Sequence, residues 1–365
     1  MIRRAVYLTL FLVAVASCDR EKDDFLWEHK AGAGRAYFIE SVADSGFVNG
    51  GTLNGKAYFM LNERSGKKIF DFTSDNKGSY RSVVNDTAYR IVAGADGSQL
   101  LLTRLDKTGN MVWEKLIDAG GSVGNAIIMR DGDAVFNVLC GPDADSINLA
   151  TSVVSLIRID TSGTELGRIT RTYSGFFSIA DVIPVTGGNF AAAVTKGFPG
   201  GKTNGSVVLL NSNLQHLWER ELSTNPSYAA ASLSICKGEN NGYIISGKNE
   251  LAFEGEDLVN SYIAAVSSSG VMLWKRYPEN SNEGVAVMRD DNGLVFLLNK
   301  NCFIVNRLDG DEVLETGRIR TYLACDSYDT DAKAGAFAFR YDGSLLMAGA
   351  KAGNYYLAIK PVPDI

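Results

Sequence analysis

The chain repeats a turn. Asp106-Lys107-Thr108-Gly109 is followed by Met111-Val112-Trp113-Glu114-Lys115, with the tryptophan seven residues after the aspartate. The same offset separates Asn211 from Trp218 and Ser267 from Trp274. Asp160-Thr161-Ser162-Gly163 keeps the turn but puts Gly167 where the tryptophan would fall, and Asn62 to Phe70 is one residue longer. Leu308-Asp309-Gly310 is a shortened version. Such self-similarity constrains the fold more than any other feature, because each unit buries its hydrophobic faces only against its neighbours. An Asp or Asn opening the turn bonds backbone amides ahead of it, and Gly accepts a positive φ. The tryptophan on the next strand then reads as a large anchor between neighbouring sheets rather than as a ligand platform.

A second marker counts the units. Turns fall at Ser45-Gly46, Asn85-Asp86, Asp131-Gly132, Gly187-Gly188, Asn241-Gly242, Asn292-Gly293 and Asp342-Gly343. Their spacing of 40 to 56 residues is the length of a four-stranded propeller blade. An apolar third strand follows each: Tyr58 to Leu61, Leu100 to Leu105, Val153 to Ile159, Val207 to Leu210, Tyr262 to Val266, Phe303 to Val305 and Tyr355 to Ile359. After Lys360 five residues remain, with no fourth strand. The segment Phe25-Leu26-Trp27-Glu28-His29-Lys30 resembles Val112-Trp113-Glu114-Lys115 and Leu217-Trp218-Glu219-Arg220, so it supplies the missing strand. The expected fold is therefore all-β: a single seven-bladed β-propeller over residues 25–365, its N-terminal strand completing the last blade and leaving no open edge at the seam.

This Asp-x-x-Gly-x-x-x-Trp-like pattern resembles the repeats of PQQ-type (quinoprotein-like) propellers, and in particular their cofactor-free relatives among Bacteroidetes lipoproteins. The quinoprotein dehydrogenases of that family have eight blades, a calcium-bound quinone and a disulfide of adjacent cysteines. The count here is seven and no Cys-Cys pair exists. The resemblance accordingly implies the fold without the activity, and no cofactor is expected.

The first residues read as a targeting signal. Arg3 and Arg4 precede an uncharged, mostly apolar run from Ala5 to Val15, too short to span a bilayer comfortably. Val15-Ala16-Ser17-Cys18 resembles the bacterial lipobox, which implies cleavage before Cys18 and acylation of its sulfur by palmitate-like chains. Residues 1–17 are then the signal peptide, and residues 18–24, charged from Asp19 to Asp24, a solvated tether. The acidic stretch resembles the surface-export signal of Bacteroidetes lipoproteins. That resemblance implies an outer-membrane protein held by its lipid and exposed at the cell surface.

Composition removes several functions. Thirty-six basic residues stand against 42 acidic ones without a basic cluster, so nucleic acid is not an expected partner. Cys140, Cys236, Cys302 and Cys325 show no C-x-x-C spacing and read as buried free thiols, although Cys302 and Cys325 could be bridged if their strands meet. Gly197-Phe198-Pro199-Gly200-Gly201-Lys202-Thr203 lacks the first glycine of a phosphate loop, which would fall at Lys196, and lies between strands. The acidic groups Asp143 and Asp145; Glu254, Glu256 and Asp257; and Asp326, Asp329 and Asp331 match no calcium loop, so no metal site is assigned. His29 and His216, the only histidines, sit in or beside outer strands, badly placed for a triad or a metal.

Binding residues on propellers belong to loops on one face. The longest insertions between second and third strands are Gly141 to Ala150, Gly197 to Gly205 and Asn249 to Asn260. Aromatic and basic residues near the blade connectors, Tyr80, Arg81, Tyr173, Phe176 and Phe177, Tyr228 and Tyr328, mark the candidate ligand face, although packing beneath the connectors would equally account for the aromatics. No catalytic residue is assigned. The expected function is that of a non-catalytic, monomeric envelope lipoprotein that binds or scaffolds a glycan or protein partner. The alternative is a carboxylate-dependent glycan-active enzyme on the same face, because spatial pairing of carboxylates is invisible in sequence.

Overall fold

The computed structural model describes residues 27–42, 46–143, 150–198, 202–222, 230–253, 256–278, 284–289, 295–299, 305–309, 318–323, 332–339 and 344–360. The signal segment, Cys18 and the tether lie outside them, as do Cys302, Cys325, Tyr228 and Tyr328. The described residues form antiparallel strands with two single 3-10 turns, Thr186–Gly188 and Glu239–Asn241, and no α-helix. None of them forms a helix long and apolar enough to cross a membrane.

The chain opens with β1 (Trp27–Val42), β2 (Gly46–Leu53), β3 (Lys56–Asn62) and β4 (Lys68–Lys77). A four-stranded sheet follows, of β5 (Ser79–Asn85), β6 (Tyr89–Asp96), β7 (Gln99–Asp106) and β8 (Met111–Asp118). The next contains β9 (Asn125–Arg130), β10 (Val135–Gly141), β11 (Thr151–Asp160) and β12 (Glu165–Ser174). Then come β13 (Phe177–Val185), β14 (Asn189–Gly197), β15 (Thr203–Leu210) and β16 (His216–Glu221). Another sheet holds β17 (Ala230–Lys237), β18 (Tyr243–Phe253), β19 (Glu256–Val266) and β20 (Met272–Arg276). After it stand β21 (Gly284–Arg289), β22 (Val295–Asn299), β23 (Val305–Asp309) and β24 (Arg318–Leu323). Finally β25 (Ala332–Phe339), β26 (Leu345–Lys351) and β27 (Asn354–Lys360) join the first four strands in one sheet ordered β25-β26-β27-β1-β2-β3-β4.

That last sheet exists because β1 serves two partners in succession. Trp27 lies opposite Ile359 and Ala33 opposite Asn354, after which Gly34 faces Leu53 and Val42 faces Gly46. The N-terminal residues thus take the position beside β27. Tyr356 donates to Glu28 across this seam (2.5 Å), and Tyr355 donates to Asn49 on β2 (2.6 Å).

The hydrophobic core is divided among the gaps between sheets. Tyr89, Ile91 and Leu102 pack with Phe136, Val138 and Ile157 from the following sheet. Leu139, Val154 and Leu156 pack with Phe190, Val194 and Val208 from the next one. Tyr58 and Met60 meet Leu346, Tyr355 and Leu357 in the same way. The sheets β5–β8 and β9–β12 are therefore buried on both faces, which accounts for continuous apolar runs such as Leu100-Leu101-Leu102.

The repeated turn and the repeated aromatic form one device. Gly163 ends the turn between β11 and β12 at φ 71°, and a Cβ placed there would fall 2.9 Å from the indole of Trp113 on the preceding sheet. Trp113 Nε1 also donates to the carbonyl of Thr161 in that turn (3.2 Å). Gly109 lies against Phe70, Gly270 against Trp218 and Gly66 against Trp27 in the same relation. One position breaks the rule on both sides. Where Gly167 replaces the tryptophan, the next sheet's turn carries Leu214, which accepts φ 56° and is 2 % exposed. Leu214 thus stands where the other turns carry their glycine, and a Cβ on Gly167 would meet nothing within 4 Å.

Strand runs into two of the expected loops. Asn249 pairs with Asn260 and the ladder continues to Phe253 opposite Glu256, so the insertion Asn249 to Asn260 extends the hairpin of β18 and β19. Gly197 likewise pairs with Thr203 at the end of β14 and β15. Antiparallel pairing satisfies the backbone of an insertion without any new packing, which lets a hairpin lengthen where the sequence suggests a loop.

Candidate functional site

Seven strands, β1, β5, β9, β13, β17, β21 and β25, contribute to the wall of one cavity of about 590 Å³. Six of them slip register by one residue at matching places: between Ala36 and Phe38, Tyr80 and Ser82, Ile179 and Asp181, Ser232 and Ser234, Gly284 and Ala286, and Ala334 and Ala336. A bulge leaves its extra residue out of the ladder and re-aims it. The extra residues are Tyr37, Arg81, Ala180, Leu233, Val285 and Gly335, and all six line the cavity. The facing strand must yield: a Cβ on Gly94 would fall 2.1 Å from the carbonyl oxygen of Ser79, and one on Gly247 1.9 Å from that of Ala231.

Polar side chains just past the bulges sew neighbouring strands together. Ser82 Oγ donates to the Ala126 carbonyl and accepts from the Ile128 amide, both at 2.9 Å. Asn125 Nδ2 donates to the carbonyls of Ile179 (3.0 Å) and Ala180 (2.8 Å). Asp181 accepts from Ser234 Oγ at 2.9 Å and from the amides of Ile235 (3.0 Å) and Val182 (2.8 Å). Ser234 Oγ in turn accepts from the Val287 amide at 3.3 Å. These bonds run without a gap from β5 to β21. Burial pushes the Asp181 carboxyl above its ordinary range, against the pull of its three donors.

Charge is gathered at one side of the cavity. The Arg81 guanidinium carbon stands 3.7 Å from the centre of the Tyr37 ring, and that of Arg35 stands 5.2 Å from it. Both distances lie within cation–π range. Arg81 Nε donates to Ser79 Oγ at 2.9 Å, and its Nη2 lies 3.7 Å from Asp143 Oδ2. Glu40 also borders the cavity, half-buried, and accepts from Asn85 Nδ2 at 3.4 Å. Desolvation raises its pKa to about 7, with the Asn85 bond acting in the opposite sense.

The residues singled out from sequence divide among three settings. Arg81 lines the cavity. Its neighbour Tyr80 is fully buried and bonds Thr103 (2.6 Å) and Glu114 (3.2 Å), a carboxylate that also accepts from Ser74 and Asn76. Phe176 is buried, and Tyr173 stacks on Phe177 with centroids 3.8 Å apart. Tyr228 and Tyr328 lie outside the described residues. Arg35, Tyr37, Glu40 and Asp181 were not singled out from sequence. His29 stacks on Trp27 and His216 lies near Tyr173 and Phe177, neither in the cavity wall. Among the described residues no cluster of His, Cys, Asp and Glu could hold a metal, and Cys140 and Cys236 are not joined in disulfides.

Sheets arranged in this way have clear counterparts. The WD40 β-propeller domain of Doa1 superposes with a TM-score of 0.60 at 12% identity, covering 92% of this chain and 96% of that one. The WD40 domain of Neurospora crassa Pan2 gives 0.59 at 12% identity, over 91% of this chain and 90% of that one. Virginiamycin B lyase from Staphylococcus aureus gives 0.55 at 12% identity, over 92% and 99%. The chain has a β-propeller fold. No family model matches it, and no curated protein does either.

Proposed function

We propose that this β-propeller is a seven-bladed, non-catalytic binding module of the cell envelope, held to the outer membrane by lipid on Cys18 and taking its partner at the mouth of the axial cavity. In this reading residues 27–33 complete the last blade, so the tether leaves the ring at its seam. The repeats then belong with the PQQ-like propeller lipoproteins of the Bacteroidetes, without their relatives' quinone. The observation that carries the reading is the cavity ringed by the extra bulge residues, with Arg35, Tyr37 and Arg81 together on one side. A pre-formed cavity of this size with few convergent polar groups is the usual form of a binding site. The partner is an envelope protein or a glycan.

The test is co-purification from membranes with the wild-type chain, Arg81→Glu, and Asp131→Lys in a turn at the opposite ends of the strands. The same partner should be retained by wild type and Asp131→Lys and lost from Arg81→Glu at unchanged melting temperature. Retention by all three would overturn the placement of the site.

A second reading, a carboxylate-dependent glycan-active enzyme, draws on Glu40, whose carboxyl holds its proton near neutrality inside the cavity as a general acid must. Asp181, a second carboxyl of the cavity wall, already spends one oxygen on Ser234 and Ile235 of β17 and the other on the amide of Val182, which favours the binding reading.

A further inference from the structure

We propose that Glu114, on the outer strand β8, is the positioning residue of the axial site: through Tyr80 it aims Arg81 into the cavity. The proposal rests on the reading that the partner is taken at Arg81, and it names what holds that side chain in place. The chain reaches Arg81 by crossing from the outer strand β4 to the inner strand β5. Gly78, at φ 114°, bends it between the two, and a Cβ there would fall 2.0 Å from the Ala95 carbonyl oxygen. One carboxylate grips the chain on both sides of that bend. Ser74 Oγ (3.0 Å) and Asn76 Nδ2 (2.6 Å) donate to Glu114 Oε1, and the Tyr80 hydroxyl (3.2 Å) donates to Oε2. Thr103 Oγ1 donates to Oε2 as well (2.9 Å) and lies 2.6 Å from the Tyr80 hydroxyl. Bonds to a carboxylate are stronger than those between neutral groups, and the fully buried Tyr80 has no water to turn to instead.

Register makes this grip decisive. The slip between Tyr80 and Ser82 keeps one of two adjacent residues in the ladder and sends the other to the axis, and a shift by one residue would exchange them. With its hydroxyl fixed at Glu114, Tyr80 stays opposite Gly94, and Arg81 is the residue sent inward. There its Nε meets Ser79 Oγ and its guanidinium lies over the Tyr37 ring.

The reach to an inner strand is particular to this sheet. Arg168 and Lys275 hold the equivalent place, one residue after the anchor position of their outer strands. They donate to the carbonyls of Asp118 and Leu222, where the preceding outer strands end. Glu28, Asp71 and Glu219, in the same place, take Tyr356, Tyr58 and Lys196 from their own sheets. Among the described residues at this position, Glu114 alone bonds an inner strand. Tying neighbouring outer strands together needs no such reach, and the strand that Glu114 reaches is the one that carries Arg81.

Nuclear magnetic resonance of the purified full-length chain, isotope-labelled in its arginines, reads the position of Arg81 directly, because the Tyr37 ring displaces the signal of a guanidinium lying over it. Arg81→Lys identifies that signal by its disappearance. Glu114→Leu should shift the signal away from its wild-type position and lose the membrane partner, as Arg81→Glu does. Glu114→Gln, whose amide still bonds hydroxyls and Asn76, should keep both. Arg168→Leu removes the equivalent grip elsewhere in the fold without touching an inner strand, and should move neither. Tyr80→Phe takes the place of Glu114→Leu if circular dichroism shows the latter unfolded. An Arg81 signal unmoved by the folded variant, or moved equally by Arg168→Leu, would overturn the proposal whether or not the partner is held. If Glu114→Leu moves the signal while Arg81→Glu still retains the partner, the positioning stands and the reading of the site falls.

Discussion

Trp27 lies against Gly66 so closely that a Cβ on that glycine would stand 2.4 Å from the indole. The tryptophan belongs to the first strand of the described chain and the glycine to the turn between β3 and β4, yet their relation is that of Trp113 to Gly163 and of Trp218 to Gly270. Trp27 therefore stands in the outer-strand place beside β27, and it keys the β25–β27 part of the seven-stranded sheet to the part formed by β2–β4.

Removing this key should loosen the packing between those two parts. Trp27 is half-buried, so Trp27→Ala is expected to cost about 2–4 kcal/mol, somewhat below the range for a fully buried tryptophan. Deletion of residues 25–30 should cost more, because it also exposes the edge of β27. Scanning calorimetry reads both, and an unchanged Tm for the deletion would mean that the strand contributes nothing to closure.

The exception at Gly167 and Leu214 offers a sharper test. Leu214 at φ 56° bears the strain of a left-handed residue, roughly 1–2 kcal/mol, in return for burying its side chain. Leu214→Gly relieves the strain and opens a void, while Gly167→Trp alone meets the leucine. The pair together restores the arrangement found at Trp113 and Gly163. A double-mutant cycle should therefore show favourable coupling of about 1–3 kcal/mol; additive costs would show that the two positions do not share one space.

The repeat was legible because it lies in residue types that a turn and an inter-sheet contact demand: Asp or Asn, Gly, and Trp at a fixed offset. The seven marker turns and the orphan strand at Trp27 came from the same regularity, and Trp27 does pair with β27. The cavity was not legible, because simple alternation cannot say which of Tyr80 and Arg81 points inward. The bulge decides it, burying Tyr80 against Glu114 and turning Arg81 to the axis. Tyr37 and Arg35 were missed for the same reason. Glycines in the second strands opposite these slips, Gly51, Gly94 and Gly247, were the available signal, since a backbone approaches each too closely for a side chain.

The thiols should report burial. Burial pushes the Cys140 thiol up to about 12, and its Sγ donates to the Ser155 carbonyl. Ellman's reagent at pH 8 is expected to leave Cys140 unmodified in the native chain and to label it within minutes in guanidinium, with mass spectrometry locating the adduct. Rapid native labelling at Cys140 would mean that β10 opens on that timescale.

The proposed lipid anchor has its own test. Metabolic labelling with an alkyne palmitate analogue should mark the wild-type chain and not Cys18→Ala, which should move from the membrane to the soluble fraction. Equal labelling of both chains would place the acyl group elsewhere or nowhere.

Glu40 sets the expected pH dependence. Its carboxyl, raised from 4.5 to about 7, keeps a proton in the folded state over a range where the unfolded chain has lost it. The native state then binds more protons than the unfolded one, so stability falls as pH rises across this window. The contribution is complete below pH 4.5 and gone above about 7. Neutral Glu40→Gln escapes the loss, and its advantage over wild type should grow from nothing at pH 4.5 to at most about 3 kcal/mol at pH 8, less as water in the cavity solvates the carboxylate. Denaturant melts of both chains at the two pH values measure it. An equal difference at both would mean that Glu40 titrates like an exposed carboxyl, and the cavity would then be open to bulk water at that depth.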